Sequence, residues 1–309
     1  MTWTAADYTW MGRALQLAER GLYSAHPNPR VGCVLVREGK IIGEGWHRAP
    51  GEPHAEVNAI ASAGNDVQGA TCYVTLEPCS HTGRTPPCTD ALIKAGVGRV
   101  IAAMEDPYPE VSGRGLKALE QAGIPAASGL LSEQAGRLNR GFCKRWTVGL
   151  PFLTCKLAMS MDGRTALADG TSKWITGAPA RQDVQRLRAR SSAILTGIGT
   201  VLADDPRLDV RELDCGGRQP LRAVIDSRLR FPPRARMLRQ AGRTLILTRS
   251  HDGGLRAALQ AAGAEVIVID AVKDEFLRGV LKHLAREEEV NELLVESGAT
   301  LAGGLLAAG

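Results

Sequence analysis

Apolar and polar positions along the chain follow two alternating periods, one near 3.6 residues and one of two residues. In the first half, this pattern and its glycine stops predict helices over residues 5–20, 54–63, 88–95 and 116–122. The predicted strands cover residues 31–36, 41–46, 70–76 and 99–104, with a short one near Ile124. A helix over residues 132–146 is expected to link this half to the next. Such alternation is typical of a layered α/β domain.

A second alternation of helix and strand patterns starts after Gly149-Leu150-Pro151, whose glycine and proline interrupt regular structure. It predicts strands over residues 152–159, 193–196, 222–225, 244–247, 265–269 and 292–295. The predicted helices cover residues 178–190, 254–262 and 275–287. A length of 309 residues also suggests two domains, at roughly 150 residues per domain. We therefore predict an α/β protein with domains at residues 1–148 and 149–309.

Composition excludes several classes of protein. Hydrophobic residues make up 44% and charged residues 23% of the chain, which is typical of globular domains and excludes disordered and fibrous proteins. No apolar run approaches the roughly 18 residues that span a bilayer, and the acid-containing N-terminal segment lacks the layout of a signal peptide. Seven cysteines without an export signal indicate a cytoplasmic protein, in which thiols serve as ligands or core residues more often than as disulfides. We expect no membrane partner.

The net charge of +5 suits either nucleic acid or a phosphorylated small molecule. The basic residues form no long run, so a solvated basic surface is favoured over a track for a polynucleotide.

The sharpest chemical signal is a set of residues that bind metals. His54-Ala55-Glu56 is followed by Pro78-Cys79 and by Cys88. One imidazole and two thiolates suit Zn²⁺ and leave a fourth position for water, whose pKa zinc lowers towards roughly 7. Glu56 is the candidate general base that takes the proton and gives it to a leaving amine. The arrangement is similar to the His-x-Glu and Pro-Cys-x-x-Cys signature of zinc deaminases.

The spacing of the two cysteines departs from that signature. Eight residues, Ser80 to Pro87, separate them, whereas the common motif has two. The inserted loop is expected to project near the metal, and its His81 and Arg84 suit a polar, anionic substrate. The alternative is a closed structural zinc site with Cys72 or His81 as fourth ligand, in which Glu56 would have no role.

Several segments resemble one enzyme family along nearly the whole chain. In the first half they are His26-Pro27-Asn28-Pro29-Arg30-Val31-Gly32-Cys33, Gly43-Glu44-Gly45-Trp46-His47, His54-Ala55-Glu56-Val57, and Thr75-Leu76-Glu77-Pro78-Cys79-Ser80-His81 with Thr85-Pro86-Pro87-Cys88. The family is that of the bifunctional riboflavin-biosynthesis deaminase/reductases. The resemblance implies a cytidine-deaminase-like first domain that hydrolyses the 2-amino group of a diaminopyrimidinone ribotide, a phosphorylated pyrimidine substrate.

The resemblance also implies roles for individual residues of the first half. It implies that three residues bind zinc, namely His54, Cys79 and Cys88, and that Glu56 transfers protons. Asn28 is a candidate for bonding the base, although its place between two prolines suits a turn equally well. His47 and Arg84 are candidates for the 5′-phosphate, with solvent exposure as the alternative. His81 is a candidate for stacking on the ring or bonding to it.

Predicted strands of the second half end in polar or glycine-rich segments. These segments cover residues 156–164, 171–176, 195–206 and 295–304. Gly197-Ile198-Gly199 is by itself a weak phosphate signal. Small residues after Glu296 let backbone N–H groups approach a phosphate at a helix N-terminus, with a plain strand-to-helix turn as the alternative.

Together these segments resemble the reductase domain of the same family, whose fold is similar to dihydrofolate reductase. The resemblance implies NADPH as the hydride donor to the sugar carbon of the deaminated product. The implied cofactor positions are Ala158, Trp174, Thr200, Asp204, Ser227, Gly298, Ala299, Thr300, Leu301, Ala302, Gly303 and Gly304. The implied substrate positions are Ser172, Arg188, Leu208, Arg211 and Glu296.

Four cationic residues have particular expected roles. Lys156 is a candidate catalytic residue that polarises the sugar or helps proton transfer, with a surface lysine at a strand end as the alternative. Arg188 and Arg211 are expected to clamp the ribose phosphate, because guanidinium forks suit phosphate oxygens. Arg249, followed by Ser250, is a candidate for contacting the 2′-phosphate of NADPH.

The family typically continues beyond the position that matches Gly309, with strands that complete the reductase sheet and contribute to dimer contacts. We therefore expect a reductase domain without those C-terminal strands, and the resemblance implies a homodimer formed through this half.

Two other classes of protein compete with this interpretation. A nucleic-acid or nucleoside zinc deaminase with an accessory nucleotide-binding domain shares the zinc chemistry and suits the positive charge. The second half lacks the stacking aromatics of an RNA-binding module, so no nucleic-acid partner is expected. A non-enzymatic nucleotide-binding regulator with a structural zinc would not need Glu56. The bifunctional enzyme is the favoured hypothesis.

Overall fold

The computed structural model describes residues 2–64, 66–81, 86–172 and 174–308. Contacts between residues divide the chain into two compact units, Met1–Val148 and Gly149–Gly309. None of the helices in the described part of the chain has the length and apolarity needed to cross a membrane.

The first unit contains a five-stranded mixed sheet. Its strands are β1 (Gly32–Arg37), β2 (Lys40–Trp46), β3 (Thr71–Val74), β4 (Arg99–Ala102) and β5 (Ala126–Ser128). They lie in the order β2-β1-β3-β4-β5, with β1 antiparallel to both neighbours and β3, β4 and β5 parallel. Glu38 and Gly39 join β1 to β2 at φ 52° and 72°, the left-handed pair that a tight hairpin turn requires.

The helices of this unit pack on both faces of its sheet. They are α1 (Ala5–Glu19), α2 (Ala55–Ser62), α3 (Cys88–Lys94), α4 (Arg114–Gln121), α5 (Ser132–Leu138) and α6 (Arg140–Val148). Helix α2 lies directly against β2, because Gly45 has no side chain there. A Cβ atom on Gly45 would lie 2.3 Å from the carbonyl oxygen of Ala55 and 2.4 Å from the nitrogen of Ala59. This contact fixes the start of α2 on the sheet.

The prediction of one linking helix over residues 132–146 is wrong. That segment forms α5 and α6, which are separated at Asn139 and both belong to the first unit. The Asn139 side chain accepts a hydrogen bond from the Arg30 amide at 2.8 Å and donates one to the Arg30 carbonyl at 2.9 Å. These two bonds satisfy the backbone N–H and C=O groups of Arg30, and they hold Asn139 at the break between the two helices.

The second unit contains a six-stranded, fully parallel sheet. Its strands are β6 (Phe152–Lys156), β7 (Ala193–Gly197), β8 (Leu221–Ile225), β9 (Thr244–Thr248), β10 (Glu265–Val268) and β11 (Glu292–Glu296). Their order is β10-β9-β8-β7-β11-β6. Strand β11 is buried along its whole length, as expected for a parallel strand covered on both faces. Because all six strands are parallel, their carboxyl ends meet at one edge of the sheet.

The helices of the second unit follow its strands. They are α7 (Ala178–Arg190), α8 (Ile198–Asp204), α9 (Gly253–Ala261), α10 (Phe276–Arg286) and α11 (Ala299–Ala307). Helix α8 was not among the predicted elements; Gly197-Ile198-Gly199 at its start is only a weak phosphate signal in the sequence. Ile198 and Val201 are buried in the core, next to Leu294 and Ile194. Burial of these side chains therefore outweighs the low helix propensity of Gly199.

Candidate active sites

Three predicted metal ligands come together at the ends of two helices in the first unit. His54 immediately precedes α2, Cys88 opens α3, and Cys79 lies in the loop after β3. The His54 Nδ1 atom lies 3.2 Å from the Cys88 sulfur and 3.6 Å from the Cys79 sulfur. The three ligand atoms lie within 4.8 Å of one another, and no other such group of metal-binding side chains occurs in the described ranges.

The charge state of this cluster suits a divalent cation. A hydrogen bond from the Cys88 thiol and the contact with His54 together lower the pKa of Cys79 to about 4. The same interaction with Cys79 raises the pKa of Cys88. The cluster therefore holds a thiolate at neutral pH, which is a ligand that zinc prefers. One imidazole nitrogen and two sulfurs at these separations fit a zinc ion.

Glu56 lies in the first turn of α2, beside the cluster. It is only 3% exposed, and its carboxylate interacts with Cys88. Burial raises the pKa of Glu56 to about 7, with a further contribution from the negative charge of Cys79. A carboxyl group with such a pKa can both accept and release a proton near neutrality.

The described residues do not supply the fourth ligand that a closed zinc site needs. Cys72, one of the two candidates, is fully buried, with its sulfur 3.4 Å from the sulfur of Cys33. His81, the other candidate, is half-buried outside the cluster, with its ring 6.0 Å from that of Tyr108. The cluster keeps three protein ligands, as in catalytic zinc sites.

His47 and Asn28 lie next to the cluster. The His47 ring stands edge-on to the His54 ring at 5.2 Å, and its Nε2 atom lies 2.9 Å from Asn28 Nδ2. His47 is 2% exposed, so solvent exposure is the wrong alternative for this residue. Burial and the neighbouring His54 lower the pKa of His47, which keeps it neutral and able to hydrogen bond. Arg84 lies outside the described residues.

Glu77 is a functional-site residue that sequence reasoning passed over. Its carboxylate is 3% exposed and accepts four backbone hydrogen bonds. One oxygen receives the amides of Asp106 and Gly113 at 3.1 and 2.9 Å, and the other those of Gly115 and Leu116 at 2.8 and 3.2 Å. Gly113 precedes α4 and offers no capping side chain, so Glu77, in the loop after β3, caps that helix instead. It thereby ties α4 to the loop that carries Cys79.

We predict that Glu77→Gln lowers the free energy of unfolding of the first unit by about 2–4 kcal/mol, because an amide cannot accept all four bonds and loses the charge. Urea denaturation followed by far-ultraviolet circular dichroism measures this loss. Glu120→Gln, an exposed substitution on the same helix, is the matched control and should change stability little. Equal stability of the two variants would contradict the capping role of Glu77.

In the second unit, three predicted residues form what we term the strand-end cluster: Lys156, Arg188 and Glu296. Lys156 ends β6 and Glu296 ends β11. Arg188, on α7, grips the Glu296 carboxylate with two hydrogen bonds of 2.6 and 2.9 Å. The Lys156 ammonium lies 3.6 Å from the same carboxylate. The lysine is thus part of a charged group at the carboxyl edge, with 28% of its side chain exposed.

Arg211 and Leu208 lie beside this cluster. The Arg211 guanidinium pairs with the Asp209 carboxylate, and Arg188 donates a hydrogen bond to the Asp209 carbonyl at 3.0 Å. Leu208 is buried with a left-handed backbone at φ 48°. Ser172 is exposed, in a segment outside the helices and strands.

Most of the predicted cofactor positions fall at one part of the sheet, and three lie in other segments. The larger set follows β7 and β11, which are neighbours in the sheet: Thr200, Asp204, Gly298, Ala299, Thr300, Leu301, Ala302, Gly303 and Gly304. Gly298 precedes α11 without a capping side chain, and a Cβ atom on Gly197 would lie 3.7 Å from Cδ2 of Leu301. Ser227 is exposed just beyond β8, and half-buried Ala158 follows β6. Trp174 is exposed, with the Arg181 guanidinium 4.5 Å from its ring.

Family models match both units of the chain. Residues 4–104 match the cytidine and deoxycytidylate deaminase zinc-binding region. Residues 151–309 match the RibD C-terminal domain.

Similar proteins cover nearly the whole chain. The chain is 50% identical to the riboflavin biosynthesis protein RibD of Escherichia coli K12, over 98% of this chain and 84% of that protein. It is 46% identical to RibD of Haemophilus influenzae, over 99% and 84%. A solved structure of Acinetobacter baumannii RibD superposes with a TM-score of 0.90 at 45% identity, covering 97% of this chain and 83% of the other. A diaminohydroxyphosphoribosylaminopyrimidine deaminase/5-amino-6-(5-phosphoribosylamino)uracil reductase from Thermotoga maritima gives 0.85 at 37% identity, with the same coverage.

The fold and the sites thus define a two-domain enzyme, in which a zinc-binding deaminase domain is followed by a reductase domain that uses a nucleotide cofactor. The chain belongs to the RibD family. It is a bifunctional deaminase and reductase of riboflavin biosynthesis. The predicted fold, a cytidine-deaminase-like domain followed by an α/β reductase domain, is confirmed. The second half matches the RibD C-terminal domain and is therefore not the accessory domain that the competing hypothesis of a nucleic-acid deaminase requires.

Proposed function

We propose that the enzyme acts on 2,5-diamino-6-ribosylamino-4(3H)-pyrimidinone 5′-phosphate. It removes the 2-amino group by hydrolysis and then reduces the ribosyl group to ribityl with NADPH. The observation that carries this proposal is the three-ligand cluster with a buried carboxylate beside it, in one chain with the strand-end cluster. The Thermotoga maritima relative, whose name states both reactions, supports the same order of steps.

His54, Cys79 and Cys88 hold the zinc ion in this proposal, which when bound supplies a Lewis acid that activates water. Glu56 accepts a proton on its carboxylate and delivers it to the departing amine, since it lies within reach of the ligands and is shielded from solvent. The burial of Glu56 also excludes bulk water from the point of proton transfer.

Four residues of the first unit contact the substrate in this proposal. Asn28 and His47 form a hydrogen-bonded pair beside the zinc ligands, with Asn28 toward the base and His47 toward the 5′-phosphate. His81 flanks the ring, and its Nδ1 atom is buried without a partner in the described part of the chain. Arg84, from the loop between the cysteines, contributes a further contact to the phosphate.

The strand-end cluster carries the reductase chemistry in this proposal. Lys156 donates a hydrogen bond from its ammonium to the sugar oxygen and stabilises charge that develops there. Glu296 keeps the lysine in place at 3.6 Å, and Arg188 holds Glu296. Arg211 binds the substrate phosphate, because its guanidinium offers a planar fork of donors. Ser172 and Leu208 supply the remaining contacts to the substrate.

NADPH occupies the carboxyl edge between β7 and β11. Residues 298–304 present the N-terminus of α11, which favours a phosphate because its first amides have no partner within the helix. Thr200 and Asp204 line the same edge from α8, and Ala158, Trp174 and Ser227 contribute from the flanking loops. Arg249 and Ser250, just beyond β9, contact the 2′-phosphate. A cytoplasmic homodimer with domains at residues 1–148 and 149–309 belongs to the same proposal.

The test is a product assay with the zinc-loaded chain, the diaminopyrimidinone ribotide and NADPH, read by mass spectrometry. Hydrolytic deamination replaces an amine with an oxygen and raises the mass by about 1 Da, and hydride reduction adds two hydrogens. A product that carries both changes supports the full proposal. A deaminated but unreduced product contradicts the reductase assignment for residues 149–309, and an unchanged substrate contradicts the substrate assignment.

A further inference from the structure

The segment before β8 holds an unusual concentration of backbone in the left-handed region. Asp205, Leu208 and Glu212 have φ values of 40°, 48° and 59°, although none of them is glycine. Such conformations cost energy and persist where surrounding contacts enforce them. The segment therefore has a defined shape that the rest of the unit maintains.

Two glutamine side chains maintain that shape. Gln219 accepts a hydrogen bond from the Val210 amide at 2.8 Å and donates one to its carbonyl at 3.1 Å. Gln185, on α7, accepts a hydrogen bond from the Arg211 amide at 3.0 Å. The backbone of Val210 and Arg211 is thus held by side chains of the same unit.

Asp209 lies between two arginines in this segment, and we term the three residues the arginine clamp. Its carboxylate is 7% exposed, whereas the side chains of Arg207 and Arg211 are each 40% exposed. One oxygen accepts hydrogen bonds from Arg207 Nε and Nη2 at 3.0 and 2.7 Å. The other pairs with Arg211 Nη1. A buried acid therefore aligns two half-exposed guanidinium groups side by side.

Both arginines retain donors for a ligand. A guanidinium group has five N–H donors, and Arg207 uses only Nε and Nη2 on Asp209. Its remaining N–H groups have no partner in the described part of the unit. Two adjacent forks with free donors match the several acceptor oxygens of a phosphate group.

The charges of the neighbouring groups also fit a phosphate monoester. The arginine clamp has a net charge of +1, from two arginines and one aspartate, and the strand-end cluster has +1, from a lysine, an arginine and a glutamate. The hydrogen bond from Arg188 to the Asp209 carbonyl at 3.0 Å connects the two groups. A phosphate monoester carries about −1.5 to −2 at neutral pH, which balances the sum.

We propose that Arg207 is a second guanidinium ligand for the phosphate of the substrate, and that Asp209 is a positioning residue that aligns Arg207 with Arg211. This inference rests on the proposed function, in which Arg211 binds that phosphate. The phosphate would then be bound by two guanidinium groups in the reductase site, those of Arg207 and Arg211.

The test is calorimetric titration of the intact, zinc-loaded protein with ribose 5-phosphate, with ribose as the non-anionic probe. Arg207→Gln should weaken binding of ribose 5-phosphate about tenfold, as loss of one charge-assisted contact does, and leave ribose unaffected. Arg186→Gln is the matched control, since Arg186 is an exposed arginine beside Asp183, at 3.6 Å, outside the clamp. In the reductase assay, Arg207→Gln should raise KM about tenfold and change kcat less than twofold.

The substitution Asp209→Asn distinguishes a role of Asp209 in positioning the two guanidinium groups from a simple effect of its charge on anion binding. Loss of a negative charge by itself tightens anion binding, whereas loss of the shared anchor weakens it by freeing both guanidinium groups. We expect weaker binding of ribose 5-phosphate and a raised KM. Tighter binding would overturn the positioning role.

A comparison with Arg211→Gln distinguishes a failure of the role proposed for Arg207 from a failure of the phosphate contact proposed for Arg211. If Arg211→Gln weakens ribose 5-phosphate binding and Arg207→Gln does not, the role of Arg207 is wrong and the proposed function stands. If neither substitution weakens binding, the proposed phosphate contact of Arg211 is wrong as well.

Discussion

Glu56→Gln should lower the rate of deamination by about 10²–10⁴-fold and leave the zinc content unchanged. General acid–base catalysis by a positioned side chain contributes an acceleration of about that size, and glutamine cannot accept a proton. The substitution keeps the size of the side chain in a position that is 3% exposed, so the cluster should retain its shape. Steady-state deamination kinetics and metal analysis of the purified protein measure the two quantities.

Glu133→Gln is the control for this prediction, because Glu133 is exposed on α5 and pairs with Arg137, one turn away. It should deaminate at the wild-type rate. Reduction of the deaminated intermediate with NADPH should be the same in both variants. Deamination by the Glu56 variant at the wild-type rate would show that another group moves the proton, and would revive a purely structural zinc site.

Cys79→Ser should abolish stoichiometric zinc binding and lower deamination by about a thousandfold or more, while reduction of the deaminated intermediate continues. A serine hydroxyl is a far poorer ligand than a thiolate, and Cys79 is the cysteine whose pKa is lowered, to about 4. The Lewis acidity of zinc contributes several kcal/mol, and each 1.36 kcal/mol corresponds to a factor of ten. Extraction of zinc from the wild-type protein with a chelator should produce the same selective loss.

Cys143→Ser provides the matched control, since Cys143 is half-buried on α6 and lies outside the metal cluster. Its zinc content and deamination rate should stay at wild-type values. Restoring zinc to the chelated wild-type protein should restore deamination, whereas the Cys79 variant should not recover. A zinc-free protein that still deaminates would refute the metal site.

Periodicity predicted most of the secondary structure, because each element has a local signal. Helix α7 has the predicted bounds, Ala178–Arg190, and the hairpin of β1 and β2 falls where its turn residues place it. The predictions were wrong where a distant partner decides the outcome. Asn139 interrupts a helical pattern because it serves the backbone of Arg30, and α8 forms because its apolar residues are needed in the core.

The chemistry of the first site could be predicted in outline. His54, Glu56, Cys79 and Cys88 are identified by residue type and order, and the structure brings all four together. Glu77 escaped notice because it looks like an ordinary acid at a strand end. Its role depends on four amides that lie 29 to 39 residues further along the chain.

The two α/β halves, the zinc ligands and the resemblance to one enzyme family can all be predicted from the order of residues, since period, residue type and motif order are local properties of the chain. Which charged groups meet depends on how the chain folds. Arg222 is the second residue of β8. Its charged side chain is nevertheless fully buried and donates to the carbonyls of Ala241 and Gly242 at 2.7 and 2.5 Å. Asp209 likewise aligns two arginines only in the folded loop. Burial and long-range hydrogen bonds depend on three-dimensional neighbours, which no local pattern of residues specifies.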